Sequence, residues 1–197
     1  MMVRKSTEIR QEEIKSAVLN IIYRNGLKKI STKNIAQEVG ISEGSIFRHF
    51  GTKNDIIMSI MDDVKKDFIE PLREISLQDE APEQRLYKHL CTTITYLKRN
   101  KGITLLMFSE ASYENDDRMK EKLKYIFQNQ RQLVGKIVAD GIAMQLWDES
   151  ISIDSFSNLY MGIPITLNVE IALNRENVDL KAFCRNNMNM LLKILRK

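Results

Sequence analysis

Apolar residues recur along this chain every three or four positions, and no stretch of useful length alternates apolar with polar. That is the helical period rather than the strand period. Residues 7–24 place Ile9, Ala17, Val18, Ile21 and Ile22 on one face, with Ser6 or Thr7 as cap and Asn25-Gly26 as stop. Two short patterns follow at 32–39 and 42–50, separated only by Gly40 and Ile41. Another starts after Gly51, where Thr52 and Asp55 have the spacing of a capping box, and carries Ile56, Ile57, Ile60, Met61, Val64 and Phe68. Pro71 is expected to kink or end it near Glu70. A polar loop at 76–83 precedes helical patterns at 84–100, 103–111, 117–144, 154–173 (interrupted by Pro164) and 180–195. The prediction is an all-α chain of nine or ten helices, with residues 1–51 as a first domain and 52–197 as a second.

The pair at 32–50 has the layout of a helix-turn-helix, in which a buried first helix presents a second one to the DNA major groove. Gly40 suits a left-handed residue closing the first helix, because it has no Cβ to clash. Ser42 is a good N-cap for the second. Ile35, Ala36, Val39, Ile41, Ile46 and Phe50 are the apolar contacts expected to set the angle between them. Glu43, Ser45, Phe47, Arg48 and His49 are left outward.

Charge sharpens that picture. Residues 1–51 hold nine basic and five acidic side chains, and the chain totals are 30 and 26, so residues 52–197 hold 21 of each. The whole excess of +4 belongs to the segment with the helix-turn-helix, as a polyanion partner would favour. Composition is otherwise that of a globular protein, 43% hydrophobic and 28% charged. No apolar run approaches the roughly 20 residues that cross a bilayer, and the N-terminus lacks a signal-peptide core. Cys91 and Cys184 stand far apart without a CxxC pattern. Reduced, structural thiols in a cytoplasmic protein, no membrane partner, no metal and no cofactor are therefore expected. An enzyme is not: there is no nucleotide loop and no Ser/His/Asp constellation, and His89 and Cys91, two residues apart, point to different sides of a helix.

An N-terminal helix followed by T-x-x-x-I-A-x-x-x-G-I-S-x-G-S-I-F-x-H-F-x-x-K-x-x-I, from Thr32 through Phe50 and Lys53 to Ile56, resembles the TetR family of transcriptional regulators. The match covers about the first 60 residues; beyond them the likeness is one of helical character and length. The resemblance implies a homodimer whose heads read half-sites of a near-palindromic double-stranded operator. It also implies a small-molecule effector held in the C-terminal domain, whose binding releases DNA; a shift of the fourth helix that spreads the two heads is the expected route. Carried over by position, Thr32 and Lys53 meet phosphate at helix N-termini, with Lys33 and Ser42 beside them. Gly44 allows close approach, Ser45 and Arg48 face the groove, and His49 donates to phosphate. Arg48 has the fork to pair with guanine O6 and N7. Phe47 stands where the family usually has Tyr, so that hydroxyl contact is missing. Glu43 is open to two roles, accepting from cytosine N4 or capping the helix as a solvated charge.

For the effector, His89, Met107, Phe108, Phe127, Met144, Trp147 and Met161 are candidate pocket residues, with ordinary core packing as the alternative for each. Trp147, in a loop after the long helix, suits a lid or pocket wall. For dimerisation, the terminal helix offers Phe183, Asn187, Met188 and Leu191, and the preceding one offers Leu159, Gly162, Ile163 and Thr166. Asn187 in such a stripe suits a register-setting role across an interface. The expected function is a ligand-responsive repressor. An activator, or a repressor without an inducer, fits the same residues; a helical scaffold that does not bind DNA leaves the motif unexplained.

Overall fold

The computed structural model describes residues 6–113, 117–174 and 177–196, without the side chains of residues 108 and 110–113. Among the described residues there are ten α-helices and no strand. They are α1 Thr7–Asn25, α2 Thr32–Val39, α3 Glu43–Ile46, α4 Lys53–Val64, α5 Glu70–Leu77, α6 Pro82–Arg99, α7 Ile103–Tyr113, α8 Asp117–Ala143, α9 Ile153–Asn174 and α10 Leu180–Leu195. The helices group into two compact units, one formed by residues 1–63 with 100–123 and the other by 64–99 with 124–197.

In the first unit α1 packs on α2, α2 on α3, and α7 against α1. Ile14, Val18, Ile35, Ile46, Ile56 and Ile57 form its sealed centre, each at most 1% exposed. Ile9, expected on the buried face, is instead 52% exposed, because it lies in the first turn of α1. Lys15 is almost buried on α1 and reaches both Asp63 and Glu12. Burial alone would lower its ammonium pKa, but the two carboxylates outweigh that and hold it above the usual lysine value. Gly102, at φ +87°, lies just before α7 and against α1; a Cβ there would sit 3.1 Å from the Ile22 side chain. The Lys101 ammonium lies 4.7 Å from the centre of the Tyr23 ring.

Pro71 neither ends nor breaks the helix. After α4 the chain passes through a π-helical segment, Lys65–Ile69, directly into α5, where Pro71 occupies the first turn. The Glu70 N–H reaches back to the Lys65 carbonyl, and this wider turn absorbs the missing proline donor. The polar loop expected at 76–83 is correspondingly shorter. Ser76 is helical and buried, with its hydroxyl on the Leu72 carbonyl at 2.8 Å. Pro164 also lies inside an uninterrupted α9.

The second unit is organised around α6, which packs on α5, α9 and α10. Arg85 is the clasp: 4% exposed, it donates to the Ser76 carbonyl at 2.8 Å and to Asp140 of α8 at 2.9 Å. Burial would raise the Asp140 carboxyl, yet Lys136 and Arg85 together hold it below the ordinary aspartate value. Trp147 folds back over the end of α8, where a Cβ on Gly141 would fall 2.1 Å from its ring. At 4% exposure Trp147 is core rather than lid.

One turn further along α6, His89 is fully buried and its Nδ1 bonds the Tyr160 hydroxyl at 2.8 Å. Its Nε2 has no partner among the described residues. Burial drives the imidazole pKa down to about 3, so the ring stays neutral in the fold. The unfolded chain titrates near the ordinary 6.5, so the fold gains its full benefit above that pH and loses it as pH falls from 6.5 toward 3. We expect His89→Gln to remove about 2 kcal/mol of the stability loss that the native chain suffers between pH 7 and pH 5. Urea unfolding at the two pH values measures this; equal pH dependence in both proteins would contradict it.

Candidate nucleic-acid interface

The reading head is fixed by local capping and by two buried side chains. Ser31 caps α2 by accepting from the Asn34 N–H at 3.1 Å. Gly40 takes the left-handed conformation, φ 75° and ψ 38°, as its position in the turn requires. Ser42 starts α3 from an extended backbone, but its hydroxyl bonds Ser45 Oγ at 2.8 Å instead of capping an N–H. The α-helical part of the second helix is shorter than the 42–50 expected and stops at Ile46. Beyond it the Ile46 carbonyl accepts from both the His49 and Phe50 N–H groups, at 2.9 and 3.0 Å, so the chain tightens into turns. That tightening delivers Phe50 to the core at 7% exposure. Gln11 of α1 donates to the His49 carbonyl at 3.1 Å and holds this end from behind.

At the start of α4 the expected capping box is formed in both directions. The Thr52 N–H donates to Asp55 Oδ2 at 2.9 Å, and the Asp55 N–H donates to Thr52 Oγ1 at 3.1 Å. Lys53 therefore enters α4 at its first residue. Arg24 on α1 pairs with Glu38 on α2 at 3.0 Å, bracing the helix behind the turn.

The outward side of this frame carries the residues named from the sequence. Lys33, Ser42, Glu43, Gly44 and Arg48 are exposed, and Phe47 is 52% exposed. Thr32, Ser45, His49 and Lys53 are half-buried. Lys33 and Arg48 make no ion pair among the described residues, so both charges are available to a polyanion. The Thr32 hydroxyl is engaged by the Glu43 carboxylate, a bond that links the start of α2 to the start of α3. Glu43 therefore braces the two helices in this state, and the Thr32 hydroxyl is occupied. His49 turns Nδ1 inward, where it has no partner among the described residues.

The residues proposed for an effector are divided between the two units. Met107 belongs to the first unit, whereas His89, Phe127, Met144, Trp147 and Met161 belong to the second. The Phe108 side chain lies outside the described residues. Met144 is 59% exposed, Met161 and Trp147 are core, and Phe127 is half-buried. What the second unit does show is a groove of ≈ 1070 Å³ between α6 and α10. Ile94, Met188 and Leu192 line it together with Lys98, Lys181 and Arg185, whose side chains make no ion pair among the described residues. Sequence reading missed this feature because its cations are spread over two helices more than 80 positions apart. The one-turn spacing of Lys181 and Arg185 was the available signal.

The dimer residues also divide. Leu159 is 54% exposed, and Gly162 and Thr166 face open space. Ile163, Met188 and Leu191 are core residues at 9, 5 and 2% exposure, so they are not surface contacts. Phe183 and Asn187 are half-buried, with the Asn187 amide spent on the Phe183 carbonyl at 2.8 Å. The exposed apolar positions missed by the sequence reading are Ile165, Val169 and Leu173 on α9 and Met190 and Ile194 on α10. Positions 159, 162, 166, 169 and 173 advance by three and four alternately, the spacing of a helix-packing seam. The arc chosen for α10 was its own core face, which apolar periodicity alone does not distinguish from a shared one.

Residues 14–60 match the family described as bacterial regulatory proteins, tetR family. The nucleoid occlusion factor SlmA of Actinobacillus pleuropneumoniae is 21% identical over 127 residues, 64% of this chain. The match spans 63% of that relative's length, less than two thirds. Among solved structures, the MbdR regulator of Azoarcus sp. CIB superposes with a TM-score of 0.82 at 18% identity, covering 98% of this chain and 100% of its own. The transcriptional regulator FadR of Bacillus subtilis, solved in complex with stearoyl-CoA, gives 0.74 at 19% identity, with 94% and 99% covered. No described helix is long and apolar enough to cross a membrane. The capped helix-turn-helix and the family match over it agree: residues 14–60 carry the segment that defines the tetR family of bacterial regulatory proteins, and the chain as a whole shares the fold of the solved regulators.

Proposed function

We propose that this protein is a homodimeric, ligand-responsive transcriptional repressor whose head reads double-stranded DNA. The observation that carries this reading is the head itself. A four-residue helix, held from behind by buried Ile46 and Phe50, presents Phe47 and Arg48 to solvent, with Lys33 exposed on α2, neither cation ion-paired among the described residues. Lys33 and Lys53 supply charge for phosphates, and Arg48 supplies a planar fork for a guanine edge. The exposed Phe47 ring has no hydroxyl for phosphate, so it contributes apolar contact, as with a thymine methyl.

The seam on α9, with Met190 and Ile194 of α10, is the surface by which two copies associate. Its apolar stripe is the kind that a monomer rarely leaves open. The groove between α6 and α10 is the effector site. An apolar floor with three cations that make no ion pair among the described residues suits an amphipathic anion, and the FadR complex with stearoyl-CoA supplies a concrete probe.

Three measurements test these points. Arg48→Ala is expected to reduce the preference for operator over random duplex about tenfold or more, corresponding to the roughly 1–3 kcal/mol of one bidentate base contact. Equal losses on both duplexes would make Arg48 a phosphate contact. Val169→Glu places a charge on the seam and is expected to give monomers by light scattering, with operator binding lost at concentrations where the native dimer is saturated; a dimer that persists would move the interface elsewhere. Stearoyl-CoA is expected to release operator from the native protein, and the paired Lys181→Ala, Arg185→Ala protein is expected to need about tenfold more of it. An unchanged requirement would remove the groove as the effector site.

A further inference from the structure

Cys91 and Cys184, 93 positions apart in sequence, meet across the α6–α10 groove with their sulfurs 2.8 Å apart. They are the chain's only two cysteines. Both are unoxidised, and both line the groove. Their separation is under an ångström more than the about 2.05 Å of a disulfide bond. Two cysteines serving only as small apolar core residues would not need to face one another at the edge of a groove that admits solutes.

Their surroundings are unequal. Cys91 is half-exposed, whereas Cys184 is 7% exposed. Tyr87, one turn before Cys91, bonds its sulfur, and that bond is the leading cause of a raised phenol pKa. Lys88 and Lys98 line the same wall of α6, and Arg185 follows Cys184 on α10. Cys91 is thus the sulfur that a solute entering the groove meets first, and Cys184 lies behind it. Burial, then the bond to Cys91, push the Cys184 thiol up to about 12, so it stays protonated until its neighbour reacts. The two have the marks of an attacking thiol and a resolving thiol.

We propose that Cys91 and Cys184 form a reversible dithiol–disulfide site, oxidised by hydroperoxides, that staples α6 to α10. The Cys91 thiolate attacks the peroxide, the O–O bond breaks, and an S–O bond forms as the alcohol or water leaves with a proton. The Cys184 sulfur then attacks the Cys91 sulfenic acid; the S–S bond forms, the S–O bond breaks, and water departs. In sum, two thiols give up two electrons and two protons, and the hydroperoxide is reduced to alcohol and water. A dithiol reductant reverses the bond. This site is independent of what the groove binds and of whether the head reads DNA.

The test uses the reduced full-length protein and hydrogen peroxide at a modest excess. The expected product has lost both titratable thiols, is two hydrogens lighter by intact mass, and runs as a single chain on a non-reducing gel. Peptide mapping should join Cys91 to Cys184, and dithiothreitol should restore both thiols. Cys184→Ser is expected to stop at a Cys91 sulfenic acid that a dimedone probe traps, while Cys91→Ser should consume peroxide at least tenfold more slowly. Disulfides between chains, oxygen added to Cys91 with Cys184 still free, or no thiol lost in the native protein would each overturn the proposal. The native protein alone decides all three of these outcomes, so a variant that folds poorly does not shelter it.

Discussion

A four-residue helix has no stability of its own, since nucleating a helix costs more than so few hydrogen bonds return. That α3 holds any orientation depends on burying Ile46 and Phe50 on the first unit's core. Everything the head offers to DNA hangs on this anchoring. The same buried carbonyl that ends α3, that of Ile46, accepts two N–H groups and turns Phe50 inward. Arg48 and Phe47 are left outside as a consequence. The backing elements reinforce it: Gln11 from α1, the Thr52–Asp55 box at α4, and Glu43 reaching Thr32. Rigidity behind the reading face is what turns a basic patch into a probe with a preferred geometry.

The second unit is built on a different principle. Its α6 carries polar groups into the interior: Arg85, His89 and Thr93. Two of them are tied to other helices, Arg85 to α5 and α8 and His89 to α9 through Tyr160, while the Thr93 hydroxyl bonds the His89 carbonyl within α6. Such contacts fix which helices lie beside α6, where an all-apolar helix would tolerate sliding. The outer side of the same helix lines the groove and brings the two thiols together. One helix thus orders the interior and presents the chemistry.

Sequence patterning made the head legible because its signals are local. Gly40, Thr52 and Asp55 act within a few residues of themselves, so their roles can be read in order along the chain, although the Ser31 cap, equally local, was passed over. Helix boundaries in the second half were legible for the same reason, and α10 runs over the residues expected. What escaped was long-range. Nothing in the spacing of Cys91 and Cys184 announces that they meet, and the groove's cations acquire meaning only once α6 and α10 are side by side. The dimer stripe failed by a subtler route. On α9 apolar residues cover most of the circumference, and on α10 they form one broad arc, so period alone does not separate Ile163 and Leu191, which are buried, from Val169 and Met190, which are exposed. Pro71 misled because a π turn upstream absorbs its missing donor, and no single-residue signal marks that turn.

The central claim is that two copies of the head read paired half-sites on one face of double-stranded DNA. Hydroxyl-radical footprinting of the protein on a fragment selected from random duplex by binding tests it most directly. The account predicts two protected half-sites related by a two-fold axis, spaced about one helical turn, roughly 34–36 Å, or a little more, and weakening steeply as salt rises. Protection spread evenly along the fragment, a single unpaired site, or binding indifferent to salt would contradict it.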